Sequence, residues 1–176
     1  MKTTGIIRRI DNLGRIVIPK EIRDTIRIKD NESMEILIED NKIVLKKYSL
    51  MSKIEDIASN FTDAINHFIK HNIIITDRDK IIATSSKMRK KLLNECISKQ
   101  LENSINRHEQ LFENHKKNLN ITDNYNVISQ YIIESITCNG DIAGLIVVFD
   151  EEKEITKDEY NTISIITKIL NKYLEE

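Results

Sequence analysis

The sequence predicts an α+β protein of two domains, 1–50 and 51–176, the second with an antiparallel sheet and flanking helices. The first domain is rich in β-branched runs that are interrupted by turn residues. The second domain opens with apolar residues at helical spacing. Near its end, two apolar runs are joined by Asn139-Gly140, a strong signal for an antiparallel hairpin. The length of 176 residues suits two small domains.

The first domain begins with two short apolar runs that flank a turn. Gly5–Ile10 is typical of a strand, and Arg15–Ile18 is typical of a second, shorter one. The Asp11–Gly14 segment between them predicts a turn, whose glycine can take a positive φ. Pro19 cannot donate to a strand ladder but suits the first turn of a helix, so we expect a short helix over Lys20–Ile26.

The first domain continues with a predicted hairpin. Met34–Glu39 and Lys42–Lys47 are the strands, and Asp40-Asn41 is the turn between them. About fifty residues without a metal or a disulfide bond make a marginal core, yet these strands are too apolar to remain exposed. Interleaving the strands of two chains would give one shared core. We therefore expect dimerisation to be necessary for folding.

Positive charge is concentrated in the first domain. Residues 1–50 hold 11 Lys+Arg and 8 Asp+Glu, whereas the remaining residues hold 16 and 20. Arg8 and Arg9 are neighbours on a strand and point to opposite faces, so one chain offers no flat basic patch. In a two-fold dimer each arginine occurs twice, and those near the axis can line one groove. We predict double-stranded DNA as the partner.

The segment GIIRRIDNLGRIVIPKEIR, followed by MEILIEDNKIVLKKY, resembles the DNA-binding domain of the AbrB family of bacterial transition-state regulators. The resemblance implies a swapped-hairpin β-barrel built by two chains. It also implies that the family's strand, turn and helix arginines contact DNA, which here are Arg8, Arg9, Arg15 and Arg23. We add Lys20 to this set as a phosphate contact, with a plain surface lysine as the alternative, and do not expect it to contact bases. Where the family often has a second basic residue after the helix arginine, this chain has Asp24.

The second domain opens with a predicted helix over Ile54–Ile69. The expected elements that follow are strands at Ile73–Thr76 and Ile81–Ser85, a long helical segment from Lys87 to about Lys117 that is either continuous or broken once near Arg107, a polar loop at Asn118–Asn126, strands at Ile128–Cys138 and Asp141–Asp150, and a closing helix with Tyr160, Ile163, Ile166, Leu170 and Tyr173 on one face. This order resembles a GAF-type sensor domain. We expect its first and last helices to join two dimers into a tetramer. Whether the domain also binds a small-molecule ligand is left open by the sequence.

The second domain shows no pattern that indicates catalysis or metal binding. His67 and His71 are four residues apart, but the glutamate of an H-E-x-x-H motif is missing, so we expect surface or interface histidines. Cys96 and Cys138 lie in no C-x-x-C motif, and the apolar neighbours of Cys96 indicate core packing. We predict free thiols, no cofactor, no metal site and no enzymatic activity.

These observations together predict a DNA-binding transcription regulator that forms homo-oligomers in the cytoplasm, associated with the nucleoid. No apolar run reaches the ~18 residues of a membrane span, and the N-terminus lacks the apolar core of a signal peptide. The family resemblance further implies control of genes during spore formation. Two alternatives remain: an antitoxin that represses its own gene, although antitoxins usually trail a disordered toxin-binding tail, and a GAF-fold enzyme with an accessory domain.

Overall fold

The computed structural model describes residues 5–28, 30 and 32–175, apart from the side chains of residues 52, 53, 55 and 56. The chain divides into two compact units, Met1–Tyr48 and Ser49–Glu176, which are named the first and the second unit below. Within the described residues, no helix is long and apolar enough to cross a membrane.

The first unit contains a short helix and a hairpin. Helix α1 spans Lys20–Thr25, strand β1 spans Met34–Glu39 and strand β2 spans Lys42–Lys47. The strands pair antiparallel, and both turn residues, Asp40 and Asn41, take positive φ, as a type I′ turn requires. The predicted hairpin is confirmed, and the predicted helix is confirmed with an end one residue earlier.

The strands predicted at Gly5–Ile10 and Arg15–Ile18 are not formed in the described part of the single chain. The turn between them is present, because the Asp11 N–H donates to the Arg15 carbonyl at 3.0 Å. The flanking apolar residues are exposed except for the half-buried Ile18, and Ile7 reaches 88% exposure. A strand needs a paired neighbour, and the described residues of one chain supply none for these two segments.

The second unit is a sheet with helices on both faces. After a 3₁₀ turn at Leu50–Ile54, its elements are α2 (Glu55–Ile69), β3 (Asn72–Thr76), β4 (Ile81–Thr84), α3 (Arg89–Leu92), α4 (Lys99–Asn106), β5 (Gln110–Thr122), β6 (Tyr125–Cys138), β7 (Asp141–Asp150) and α5 (Lys157–Glu175). Each pair of neighbouring strands is antiparallel, in the order β4-β3-β7-β6-β5. This confirms the predicted antiparallel sheet with flanking helices.

The two faces of the sheet bury two separate apolar clusters. Strand β7 contributes to both, since Ile146 and Val148 face one cluster while Val147 and Phe149 face the other. Helices α2 and α5 cover the first cluster, and helices α3 and α4 cover the second. Period-two alternation along a strand with both faces buried produces this two-layered core.

The segment between residues 87 and 126 differs from the prediction. Instead of one long helix and a loop, it forms the short helices α3 and α4 and then β5, which pairs with β6 along most of its length. Side chains from residue 114 to residue 118 are all exposed, because β5 lies at the edge of the sheet. Pairing with β6 therefore overrides a local pattern that resembles a polar helix.

Four of the five residues predicted on the apolar face of α5 lie against the core, since Ile163 and Leu170 are buried and Tyr160 and Ile166 pack against the same cluster. The buried residues of α5 are Ile163, Thr167, Leu170 and Leu174. Tyr173, which was expected on the apolar face, is exposed instead. The buried stripe follows spacings of three and four residues, and residue 173 lies outside that stripe while residue 174 lies within it.

Candidate nucleic-acid interface

The turn in the first unit is built around the carboxylate of Asp11. Its Oδ1 accepts hydrogen bonds from the backbone N–H groups of Leu13 at 2.9 Å and Arg15 at 2.8 Å, and its Oδ2 accepts one from Arg15 Nε at 2.8 Å. The backbone and side-chain hydrogen bonds of Arg15 hold the pKa of the Asp11 carboxyl below its ordinary value. Gly14 takes a φ of 76° in this turn, where other residues would be strained. The guanidinium of Arg15 is thus held at its Nε.

Arg23 lies on helix α1 and contacts the segment that follows the helix. The Pro19 carbonyl accepts hydrogen bonds from the backbone N–H groups of Ile22 and Arg23, both at 3.0 Å, and starts the helix. Arg23 Nη1 donates to Asp30 Oδ1 at 3.0 Å. Asp30 therefore occupies one terminal nitrogen of Arg23, and an external anion would be bound by the remaining N–H groups of the guanidinium or would displace Asp30. Asp24, the following residue, is exposed.

The other predicted DNA contacts are open to solvent. Arg8, Arg9 and Lys20 are exposed and form no hydrogen bond or ion pair through their side chains with the described residues. Arg8 and Arg9 precede the Asp11 turn, Arg15 follows it, and Lys20 and Arg23 lie on α1. The predicted cations thus lie along residues 8–23, named the turn-and-helix segment below, and the charged ends of Arg8, Arg9 and Lys20 have no partner among the described residues.

The sequence prediction missed the part that Asp11 plays in this segment. An aspartate that opens a turn commonly accepts a hydrogen bond from the backbone N–H two residues later, so the sequence could have indicated the contact of Asp11 with Leu13. The contact of Asp11 with the side chain of Arg15 depends on how the turn folds back on itself. A role for an acidic residue in a basic surface is not visible from charge counting.

In the second unit, the structure overturns the expectation that His71 is a surface or interface histidine, because its side chain is only 3% exposed within the single chain. Its Nδ1 lies 2.9 Å from Asp150 Oδ2, and its Nε2 lies 3.2 Å from Glu159 Oε1. Burial alone would raise the pKa of both carboxyls, but contacts with His71 and with nearby N–H and hydroxyl groups outweigh it. The pKa values of Asp150 and Glu159 are therefore below their ordinary values. This cluster joins the α2–β3 junction to the end of β7 and the start of α5.

The cysteines take positions that the sequence did not fully predict. Both are free, and Cys138 is buried, with its Sγ donating to the Leu174 carbonyl at 3.2 Å. Cys96 is exposed, so the expectation of core packing is wrong. It lies between α3 and α4, where its backbone bridges to Lys80. Among the described side chains, no three His, Cys, Asp or Glu residues are grouped so that they could hold a metal ion.

A cleft of about 480 Å³ opens near the end of β7 in the second unit. Three lysines, three acidic residues and two asparagines contribute to its lining: Lys70, Lys87, Lys153, Asp150, Glu151, Glu152, Asn66 and Asn72. Asp150 is already engaged with His71 and with two loop N–H groups. The cleft thus offers cationic, acidic and amide groups to a small polar molecule.

Comparison with known proteins relates both units to families. A family model described as "Stage V sporulation protein T C-terminal, transcription factor" matches residues 53–175, and one described as "Antidote-toxin recognition MazE, bacterial antitoxin" matches residues 7–52. Stage V sporulation protein T of Bacillus subtilis (strain 168) is 35% identical over 178 residues, which cover 100% of both chains. The transition state regulatory protein AbrB of the same organism is 54% identical over 48 residues, 27% of this chain and 50% of that protein.

A solved structure identifies the fold of the second unit. The blue-light absorbing form of the Thermosynechococcus elongatus PixJ GAF domain matches with a TM-score of 0.57 and 10% sequence identity, over 73% of this chain and 89% of that one. At this identity the likeness shows the fold alone. The predicted GAF-like fold is confirmed.

The fold, the family model and the two relatives define a DNA-binding transcription regulator with an AbrB-like first unit and a GAF-like second unit. The chain belongs to the stage V sporulation protein T family of transcription factors. The predicted resemblance to AbrB-type regulators is confirmed. The antitoxin model matches residues 7–52 alone, whereas the likeness to a transcription regulator extends over the whole chain.

Proposed function

We propose that two copies of residues 1–50 interleave into one swapped-hairpin barrel and that this barrel holds DNA. A single observation carries the proposal: among the described residues of the first unit, Pro19 is the only buried one. Ile38 pairs with Ile43 across the hairpin, and this apolar pair is exposed, with Ile38 at 83%. Fully burying such a side chain stabilises a protein by ~1.5–3 kcal/mol. A second chain that covers several of them supplies the core that one chain lacks.

The cations of the turn-and-helix segment make the DNA contacts in this proposal. They are Arg8, Arg9, Arg15, Lys20 and Arg23. Two-fold symmetry places each of them twice on the duplex, so that one substitution removes two positive charges from the footprint. Phosphate contacts and DNA shape supply most of the affinity, because few side chains per element are long enough to reach base edges.

Alanine variants of Arg8, Arg15 and Arg23 test these contacts, with binding measured at several salt concentrations. The DNA is a genomic duplex that the protein itself selects, compared with random DNA. Loss of a phosphate contact lowers the salt slope by ~1–2 units, whereas loss of a guanine contact costs ~1–3 kcal/mol at the selected site alone. Arg78→Ala, at an exposed arginine of the second unit, is the control. Unchanged binding in all three variants refutes the assignment.

The second unit, in our proposal, joins two such dimers into a tetramer through α2 and α5. The two helices cover the same face of the sheet, and each leaves apolar side chains in solvent. On α5, Ile165, Ile169 and Tyr173 recur every four residues on one exposed stripe, and Phe68 on α2 is 85% exposed. We propose that a second copy of the chain covers this stripe, because a two-fold axis places the same stripe of both copies in contact.

Light scattering tests this assembly on the full-length protein. The unmodified protein should have the mass of a tetramer, and Ile165→Glu together with Ile169→Glu should reduce it to a dimer. Ile128→Glu is the matched control, since this side chain is also exposed but lies on β6. If full-length protein has the same dimeric state as a fragment of residues 1–52, the second unit does not direct assembly.

We also propose that the protein is a cytoplasmic, nucleoid-associated regulator of genes for spore formation and has no enzymatic activity. The name of the full-length relative and the family description support this role. Genome-wide chromatin capture during sporulation tests it, and enrichment at unrelated genes alone would contradict it. Ligand sensing is a second candidate function, which the cleft near Lys70 and Lys153 favours. A thermal-shift screen with small polar metabolites tests for the ligand.

A further inference from the structure

We propose that Asp11 is a positioning residue for DNA binding. It holds the Arg15 guanidinium by its Nε and leaves both terminal nitrogens for the nucleic acid. This inference rests on the proposed DNA contact of Arg15. It assigns a role to an acidic residue inside a surface whose other proposed members are all cations.

The two carboxylate oxygens of Asp11 have separate tasks. Oδ1 accepts the backbone N–H groups of Leu13 and Arg15, at 2.9 and 2.8 Å, and so shapes the turn. Oδ2 accepts Arg15 Nε at 2.8 Å and so restrains the side chain. The backbone of the same residue completes the turn, because the Asp11 carbonyl accepts the Gly14 N–H at 3.0 Å. One residue therefore fixes both the backbone path before Arg15 and the placement of its guanidinium.

The free part of the Arg15 guanidinium is the part that suits DNA. A guanidinium has five N–H donors in a planar fork, and its terminal nitrogens match two acceptors at once. Within the described residues, the terminal nitrogens of Arg15 have no hydrogen-bond partner, and its side chain is 71% exposed. A long side chain that is already held in place loses less rotamer freedom on binding.

Because Asp11 is negatively charged, the direction in which its substitution changes the DNA affinity distinguishes two roles. The hydrogen bonds from Arg15 keep the pKa of the Asp11 carboxyl low, so the group is ionised at neutral pH. An anion on a surface that faces phosphates repels them. Electrostatics alone therefore predicts that removing Asp11 strengthens DNA binding, whereas a positioning role predicts that removing it weakens binding.

The experiment compares DNA affinities of full-length variants by fluorescence anisotropy. The variants are Asp11→Ala, Asp11→Asn, Arg15→Ala, the double variant with alanine at both positions, and Asp24→Ala as the charge-matched control. Asp24 is also an exposed acid of this segment, on α1, and its carboxylate has no partner among the described residues. We expect Asp11→Ala to weaken binding about 3- to 10-fold for each Arg15 in the footprint. Asp24→Ala should leave binding unchanged or strengthen it.

The double variant separates a positioning role from a general structural one. If Asp11 acts through Arg15, adding Asp11→Ala to Arg15→Ala should cause no further loss. Asp11→Asn keeps an oxygen that can accept the two backbone N–H groups but loses the ionic contact, so its loss should be smaller than that of Asp11→Ala. If Asp11→Ala changes the circular dichroism or the oligomeric state, the same comparison with Asp11→Asn decides the question.

Three results would overturn the inference. Binding of Asp11→Ala that equals or exceeds that of the unmodified protein removes the positioning role, even if Arg15→Ala binds weakly. A further loss in the double variant shows that Asp11 acts independently of Arg15. Unchanged binding of Arg15→Ala removes the proposed contact of Arg15 itself, and the inference fails with it.

Discussion

The substitution His71→Gln removes the group that contacts both Asp150 and Glu159 inside the second unit. The hydrogen bond that this substitution removes joins His71 Nδ1 and Asp150 Oδ2 at 2.9 Å, and a hydrogen bond to a charged group accounts for ~1.5–3 kcal/mol. Each carboxylate keeps other hydrogen bonds, Asp150 from two loop N–H groups and Glu159 from Thr156. Because glutamine is shorter on one side than the imidazole ring and restores this contact only in part, we expect a loss of about 1–3 kcal/mol in the free energy of unfolding.

The measurement is urea unfolding of the full-length protein, followed by circular dichroism. His67→Gln is the matched control, since His67 lies four residues earlier on α2 and is exposed. A surface substitution of this kind changes stability by less than ~0.5 kcal/mol. If His71→Gln costs no more than His67→Gln, the cluster does not secure the second unit.

The same variant should change the response to acid. The pKa values of Asp150 and Glu159 are lower in the folded protein than in the unfolded chain, so their stabilisation is present above the ordinary carboxyl values. It is lost as the pH falls through the folded values. In His71→Gln the carboxyls of Asp150 and Glu159 stay buried but lose the histidine contact, so the pKa values of both carboxyls rise. The loss of stability in acid therefore begins at a higher pH than in the unmodified protein. Identical acid profiles for the variant and the unmodified protein would refute this reasoning.

Two further substitutions probe the sheet of the second unit. In Gly144→Ala, the new Cβ would lie 1.8 Å from the Thr76 carbonyl oxygen, so we expect β3 and β7 to separate and the protein to lose more than ~3 kcal/mol; an unchanged thermal unfolding temperature would contradict this. Burial raises the pKa of Glu134, so at pH values above the ordinary carboxyl pKa the ionised side chain destabilises the fold. Glu134→Gln should therefore stabilise the protein at neutral pH but not in acid. Urea unfolding at both pH values measures this effect, and a variant less stable than the unmodified protein at neutral pH would count against it.

Local signals in the sequence predict the elements that depend on local structure. The turn at Asn139-Gly140 takes positive φ at both residues, and the strands on either side pair as expected. Helix α2 follows the apolar spacing seen from Ile54 onward. These elements are set by backbone preference and by the period of the apolar residues, which a single sequence displays.

Contacts between distant parts of the chain could not be predicted in the same way. Strand β5 is polar along its middle and becomes a strand because β6 pairs with it. His71 is buried and contacts Asp150 and Glu159, which lie 79 and 88 residues further along the chain. In the first unit, the predicted DNA contacts come from a family resemblance, whereas the hydrogen bonds of Asp11 become visible only when the turn is folded.

The most direct test of the proposed barrel is the folding of residues 1–52 as a function of concentration. Sedimentation equilibrium gives the mass, and circular dichroism on the same samples gives the strand content. Because the described apolar side chains of this unit, Pro19 apart, are exposed or only half-buried in one chain, strand structure should appear only together with the dimer and disappear as the dimer dissociates. A fragment that stays folded as a monomer at low concentration would contradict the proposal that two chains share one core.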